Sequence, residues 1–148
     1  GALLGRWRPD PVALDRLGFL AGCAFQIRDD LLDLEPHGQL GKEPHSDIRE
    51  GKRTLMLIRL LQMAAAEDRA WVIDYLARDG RGGRCPSDQQ RLRSMMVDSG
   101  CLRYAERFAA VLAEAAQHSL DAAFVDVPDS PALVFLRELI DHLVSRTS

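Results

Sequence analysis

Cysteine and histidine are scarce in this chain, with three and four copies among 148 residues. Cys23, Cys85 and Cys101 are odd in number and show no CxxC spacing, so the sequence predicts neither a disulfide framework nor a thiolate zinc site. No two histidines have the spacing of a zinc site, and we expect them at the surface or in loops. A reducing, cytoplasmic environment fits this composition.

Long apolar runs and an excess of positive charge are missing as well. No apolar stretch approaches the roughly 20 residues that a transmembrane helix needs, and no basic segment precedes an apolar core as in a signal peptide. The formal net charge of -3 provides no cationic field for a phosphate backbone. We therefore expect a soluble protein that does not bind nucleic acid, and 47% apolar residues are enough for one hydrophobic core.

The chain also lacks the period-two alternation of strands. Apolar residues recur instead at three- and four-residue steps, which predicts an all-α fold. Asp10-Pro11 has the form of a helix start, and the first helix is expected to run from about 11 to 34. The polar segment Glu35 to Gly51 contains two prolines and three glycines and is predicted to be a loop of about 17 residues, a length that favours function or mobility.

Capping residues and apolar spacing predict further helices along the rest of the chain. One helix is expected to begin at Thr54, and a second to run from about Ala66 to Arg78. A capping box of Ser87 and Gln90 is expected to open a third, which ends at about Asp98. Two more are expected from Cys101 to Ala123 and from Ser130-Pro131 to about Arg146. A turn at 80–83 separates two of them.

An acidic cluster, Asp29, Asp30 and Asp33, occupies the last turns of the first predicted helix. Asp29 and Asp33 share one helical face, and Asp30 lies about 100° around the axis. Like charges at this spacing oppose the helix by roughly 0.2–0.5 kcal/mol, and the dipole at a helix C-terminus also disfavours them. Mg²⁺ held by carboxylates and a substrate diphosphate would compensate them. The alternative is a solvated acidic turn paired with an arginine such as Arg28.

The segment after this cluster carries two lysines, each preceded by a glycine. Lys42 follows Gly41, Lys52 follows Gly51, and Asp47 lies between them. Lysine binds phosphate as a point charge, and glycine allows the backbone to approach an anion closely. A solvated charged loop would explain either lysine alone. Carboxylates for a metal and lysines for phosphate within 25 residues together favour a metal–diphosphate site.

These residues form a pattern that resembles the second aspartate-rich region of the trans-type polyprenyl diphosphate synthases. The resemblance rests on the stretch from Gly18 to Asp33 and on the segments Leu40-Gly41-Lys42, Ser46-Asp47 and Glu50-Gly51-Lys52-Arg53-Thr54-Leu55. It is dense from about residue 18 to 57. It implies a helical bundle of the isoprenoid (terpenoid) synthase type, of which residues 1–148 would be the C-terminal portion of a polyprenyl synthetase domain.

The resemblance implies a prenyltransferase that condenses an allylic diphosphate head-to-tail with isopentenyl diphosphate, uses Mg²⁺ and releases pyrophosphate. The metal residues implied are Asp29, Asp30 and Asp33, with Asp47 acting through water. On helical geometry Asp29 and Asp33 are the expected direct ligands. The residues implied for the allylic substrate are Lys42 and Lys52, which would also be catalytic, and Phe25 and Gln26, which would border the allylic chain. Ordinary helix packing remains an equal alternative for Phe25.

Two departures from the family pattern affect these expectations. Met56 stands where the family usually has a proline, and the chain contains no second aspartate cluster. We expect either the C-terminal part of a longer synthase, which the opening Gly1 favours, or a short subunit whose partner supplies the other motif. A homodimer is the other expected assembly, and the chain alone is not expected to condense substrates at a normal rate. A non-catalytic subunit and a terpene cyclase-like enzyme are the alternative functions.

Overall fold

The structure, a computed structural model, describes residues 9–35, 46–78, 83–128 and 130–145. Every regular element within these ranges is an α-helix, which confirms the all-α prediction. The helices are α1 (Pro11–Asp33), α2 (Ser46–Glu50), α3 (Leu55–Met63), α4 (Ala66–Ala77), α5 (Pro86–Asp98), α6 (Cys101–Ala123) and α7 (Pro131–Ser145). None of these helices is long and apolar enough to cross a membrane.

Two predictions about helix boundaries were wrong. The predicted loop contains α2, because the Asp33 carboxylate accepts hydrogen bonds at the start of that helix and Ile48 is buried. The predicted capping box at Ser87 does not form, because Cys85 is the N-cap of α5 and Pro86 is its first residue. Residues 36–45, 79–82 and 146 lie outside the described ranges, and so does most of the predicted turn at 80–83.

The chain divides into two compact units, and the first comprises Gly1–Arg28 and Phe108–Thr147. Its helices begin as predicted: Asp10 Oδ1 accepts from the Val12 backbone N–H at 3.0 Å, and Ser130 Oγ accepts from the Leu133 N–H at 3.3 Å. Small side chains let its helices pack closely around one apolar core. The buried core residues are Ala24, Ala113, Ala116, Leu120 and Ile140.

The second unit comprises Asp29–Arg107. The Thr54 hydroxyl accepts from the Leu57 N–H at 3.4 Å and caps α3, which begins at Leu55, one residue after the predicted start. Tyr75 is fully buried, and its hydroxyl donates to the Ile48 carbonyl oxygen at 2.9 Å, which ties α4 to α2. The other fully buried side chains of this unit include Met56, Leu60, Val72, Leu92 and Cys101. This core supports the turn that carries Lys52.

Two cysteines of the second unit are expected to differ in reactivity. Cys85 is exposed, whereas Cys101 is fully buried. Burial raises the pKa of the Cys101 thiol, and the nearby positive charge of Arg59 opposes that rise only in part. Because the thiolate is the reactive form, alkylation near pH 8 should modify Cys85 first and Cys101 only after unfolding. Mass spectrometry with and without denaturant measures this order, and early labelling of Cys101 would contradict the packing of α6.

Candidate functional site

Lys52 forms ion pairs with two of the four predicted metal residues. Its Nζ lies 2.7 Å from Asp30 Oδ1 and 2.9 Å from Asp47 Oδ2. Asp30 reaches it from the last turn of α1 and Asp47 from the first turn of α2. The side chains of Asp30 and Asp47 are only 8% and 15% exposed, whereas that of Lys52 is 40% exposed. The lysine therefore joins two largely buried carboxylates and still reaches solvent.

The pKa shifts reflect this concentration of charge. Burial works to lower the pKa of Lys52, but its hydrogen bonds to Asp30 and Asp47 outweigh burial and raise the pKa above the ordinary value. Burial raises the pKa of Asp47; the hydrogen bond from Lys52 opposes that rise, and the negative charges of Asp33 and Asp30 add to it. The ammonium thus stays charged at neutral pH, and the carboxylates are close enough to repel one another.

Asp33 holds α2 in place through both of its carboxylate oxygens. Oδ1 accepts from the Ser46 N–H at 3.2 Å and from the Ser46 hydroxyl at 2.8 Å, and Oδ2 accepts from the Asp47 N–H at 3.0 Å. These donors lie in the first turn of α2, where backbone N–H groups have no helical partner. Asp33 therefore determines where Asp47 lies. Sequence reasoning gave Ser46 no role; it is the first residue of α2, and both its N–H and its hydroxyl donate to Asp33, which is too distant in the chain to give a local signal.

The Gly51 turn carries the chain from α2 to Lys52. The Lys52 backbone N–H donates to the Asp47 carbonyl oxygen at 2.9 Å, and Gly51 has a positive φ of 71°. This left-handed conformation favours glycine. The sequence suggested that Gly51 lets the backbone approach an anion, whereas the structure shows the glycine in the left-handed conformation of the turn that leads to Lys52.

The remaining predicted site residues are Asp29, Phe25, Gln26 and Lys42. Asp29 lies on α1 beside Asp30 and is partly exposed. Phe25 and Gln26 precede it on α1 and belong to the first unit, where the Phe25 side chain is 43% exposed. Lys42 lies outside the described residues. The structure therefore brings Asp30, Asp33, Asp47 and Lys52 into one connected cluster.

The donor set of this cluster fits a hard divalent cation, which prefers carboxylate oxygens. Among the described residues, no three Asp, Glu, His or Cys side chains converge closely enough to hold a metal ion as they stand. The geometry explains why, because Lys52 sits between Asp30 and Asp47 while Asp33 points its oxygens at α2. A metal–diphosphate pair would satisfy the carboxylates and the lysine at once.

An all-α fold that places buried carboxylates around an exposed ammonium fits the resemblance to isoprenoid synthases seen in the sequence. The family model for polyprenyl synthetase matches residues 1–95, and the chain belongs to that family. The resemblance in the sequence is thereby confirmed.

Curated relatives extend the similarity over most of the chain. A geranylgeranyl pyrophosphate synthase of Geoglobus acetivorans is 32% identical over 144 residues, which cover 97% of this chain and 41% of the relative. A geranylfarnesyl diphosphate synthase of Aeropyrum pernix is 34% identical over 134 residues, covering 90% and 39%. The chain thus spans about two fifths of the length of these relatives.

Solved structures agree with the family assignment. A polyprenyl synthase of Caulobacter crescentus CB15, complexed with calcium and isoprenyl diphosphate, aligns with a TM-score of 0.75 and 31% identity over 92% of this chain and 40% of its own. A geranylgeranyl pyrophosphate synthetase of Pyrococcus horikoshii Ot3 aligns with a TM-score of 0.73 and 31% identity over 91% and 39%. These neighbours identify the all-α isoprenoid synthase fold.

Proposed function

We propose that this chain carries the leaving-group side of a prenyltransferase active site, in which an allylic diphosphate ionises and is joined head-to-tail to isopentenyl diphosphate. The observation that supports it best is the Lys52 ammonium, held at 2.7 Å and 2.9 Å by Asp30 and Asp47 and still 40% exposed. A cation in this position can bind the diphosphate while the carboxylates beside it bind the metal.

The chemistry requires stabilisation of the negative charge that grows on departing pyrophosphate. Bound Mg²⁺ would supply most of that stabilisation as a Lewis acid. Asp29, Asp30 and Asp33 are the proposed metal residues, with Asp47 as the partner through water. Lys52, held by two hydrogen bonds, would donate to the diphosphate oxygens from a preorganised position.

Several parts of the proposal rest on the resemblance alone. Lys42 is proposed as the second diphosphate lysine, and Phe25 and Gln26 as residues beside the allylic chain. Residues 1–148 are proposed as the C-terminal portion of the synthetase domain. The assembly stays a prediction from the sequence: either a homodimer or pairing with a chain that supplies the first aspartate-rich motif. The cytoplasmic location is also a prediction from the sequence.

Calorimetric titration with Mg²⁺ and inorganic pyrophosphate tests the proposal. We expect pyrophosphate binding that requires Mg²⁺ and weak Mg²⁺ binding that pyrophosphate strengthens, because the carboxylates hold the metal chiefly through the diphosphate. Asp29→Asn should weaken it by roughly 10- to 100-fold, the range typical of groups that support a metal site. Tight pyrophosphate binding without metal, or none under any condition, would contradict the proposal.

Product analysis separates this activity from cyclisation. The chain, alone or with a partner that supplies the other motif, is incubated with an allylic diphosphate, with and without isopentenyl diphosphate. A prenyltransferase gives a longer diphosphate only when isopentenyl diphosphate is present. Cyclic products formed without it would favour a terpene cyclase instead.

A further inference from the structure

Arg84, immediately before the N-cap of α5, is buried to 9% exposure and binds three backbone carbonyl oxygens. Its Nη1 donates to Arg49 O at 2.9 Å, its Nη2 to Leu76 O at 2.9 Å and its Nε to Tyr75 O at 3.2 Å. Carbonyls at the end of a helix lack helical partners and carry partial negative charge, so a cation there is favourable. One guanidinium thus joins the ends of α2 and α4.

The guanidinium also packs directly against the turn that precedes Lys52. A Cβ built on Gly51 would lie 2.5 Å from Arg84 Nη2 and 2.7 Å from its Cζ. The arginine has little freedom to move away, because each of its three guanidinium nitrogens donates to a carbonyl and its Cζ lies 5.4 Å from the centre of the Tyr75 ring. Gly51 is therefore confined between its own left-handed backbone and the Arg84 side chain.

A continuous set of contacts leads from Arg84 to the Lys52 ammonium. Arg84 binds the Arg49 carbonyl and contacts Gly51. In the next residue, the Lys52 N–H donates to Asp47 O, and the Lys52 Nζ binds Asp30 and Asp47. We propose that Arg84 is a positioning residue that anchors the Gly51 turn to α4 and so places the Lys52 ammonium for diphosphate. This inference rests on the proposed function of Lys52, but Arg84 itself would touch neither substrate nor metal.

The first test needs no ligand. In Arg84→Gln, amide hydrogen exchange of the Lys52 N–H should accelerate by about tenfold or more, because the turn opens locally without global unfolding. Arg69→Gln is the matched control: it removes arginine bonds to the Leu61 and Ala64 carbonyls at the end of α3, away from the Gly51 turn. Unchanged exchange at Lys52 in Arg84→Gln, or equal acceleration in the control, would overturn the inference.

The second test measures affinity for Mg²⁺ with inorganic pyrophosphate. Arg84→Gln should lower it about tenfold, as expected for a supporting residue of a metal site, and Arg84→Lys should restore part of it because lysine keeps the charge. In a Lys52→Met background the same change should cost less than about twofold, since a residue that acts through Lys52 is coupled to it. An equal loss in both backgrounds would show a purely structural role and overturn the inference.

The two tests distinguish the role proposed for Arg84 from the function proposed for the chain. If the wild-type chain does not bind Mg²⁺–pyrophosphate, the proposed function fails, and hydrogen exchange at Lys52 alone decides whether Arg84 positions the turn. If Arg84→Gln does not fold, Arg84→Lys is measured against the same exchange and affinity criteria.

Discussion

Replacing Lys52 with methionine should weaken Mg²⁺-dependent pyrophosphate binding by roughly 10- to 100-fold, the loss expected when a hydrogen bond to a charged group is removed. Methionine keeps an unbranched side chain of similar length without the charge. Binding of Mg²⁺ alone should persist or tighten, because Lys52 no longer competes for Asp30 Oδ1 and Asp47 Oδ2. Calorimetry with metal alone and with metal plus pyrophosphate measures both effects.

The affinity for pyrophosphate should fall while the affinity for Mg²⁺ alone does not, and this difference distinguishes a diphosphate-binding role of Lys52 from a structural one. If Lys52 only held Asp30 and Asp47 in place, its loss would weaken both titrations together. Arg53→Met is the control, because it removes one positive charge from the adjacent, exposed position. It should change pyrophosphate affinity by less than about threefold, since an exposed charge is largely screened. A parallel loss in the control would assign the effect to net charge.

The ion pair should also be insensitive to moderately alkaline pH. The pKa of Lys52 is raised in the folded state, so the stability it contributes is complete below the pKa of an unfolded lysine and is lost only as pH rises through the folded value. We therefore expect the stability difference between wild type and Lys52→Met to stay constant from neutral to mildly alkaline pH.

The helices were predictable because their stabilising signals are local. Apolar spacing and terminal residues such as Asp10, Thr54 and Ser130 lie within a few positions of the backbone groups they satisfy. The short helix α2 was not predictable in this way. Its first N–H groups bind Asp33, which lies 13 and 14 residues earlier, and its Ile48 carbonyl binds Tyr75, which lies 27 residues later.

The site shows the same division between local and long-range information. Its residues could be selected from the sequence, because carboxylates and Gly-Lys pairs form a recognisable pattern. Helical geometry singled out Asp29 and Asp33, but it carried no information about which carboxylate is buried beside Lys52. That carboxylate is Asp30, which lies 22 residues away in the chain. Arg84 carried no sequence signal, because it acts only through backbone carbonyls that the fold brings to it.

Asp33→Ala should have two separable effects, because the Asp33 carboxylate both supports α2 and is a proposed metal residue. Removal of the acceptor for Ser46 and Asp47 should lower the free energy of unfolding by roughly 1–2 kcal/mol, the usual cost of losing a helix cap. Affinity for Mg²⁺ with pyrophosphate should fall by roughly 10- to 100-fold as the carboxylate is lost. Urea unfolding and calorimetry measure the two quantities on the same samples.

Asp33→Asn removes the negative charge of the side chain but keeps part of its hydrogen bonding to the start of α2. Its amide oxygen can still accept from Ser46, whereas its amide nitrogen cannot accept from the Asp47 N–H, so about half of the stability loss should remain. Its affinity for the metal should fall as far as in Asp33→Ala, because a hard cation prefers the anionic ligand. The control is Asp74→Ala, which removes a 67% exposed carboxylate paired with Arg78 and should change stability by less than about 1 kcal/mol. Wild-type affinity in Asp33→Asn would limit Asp33 to supporting α2 and would leave Asp29 and Asp30 as the metal residues.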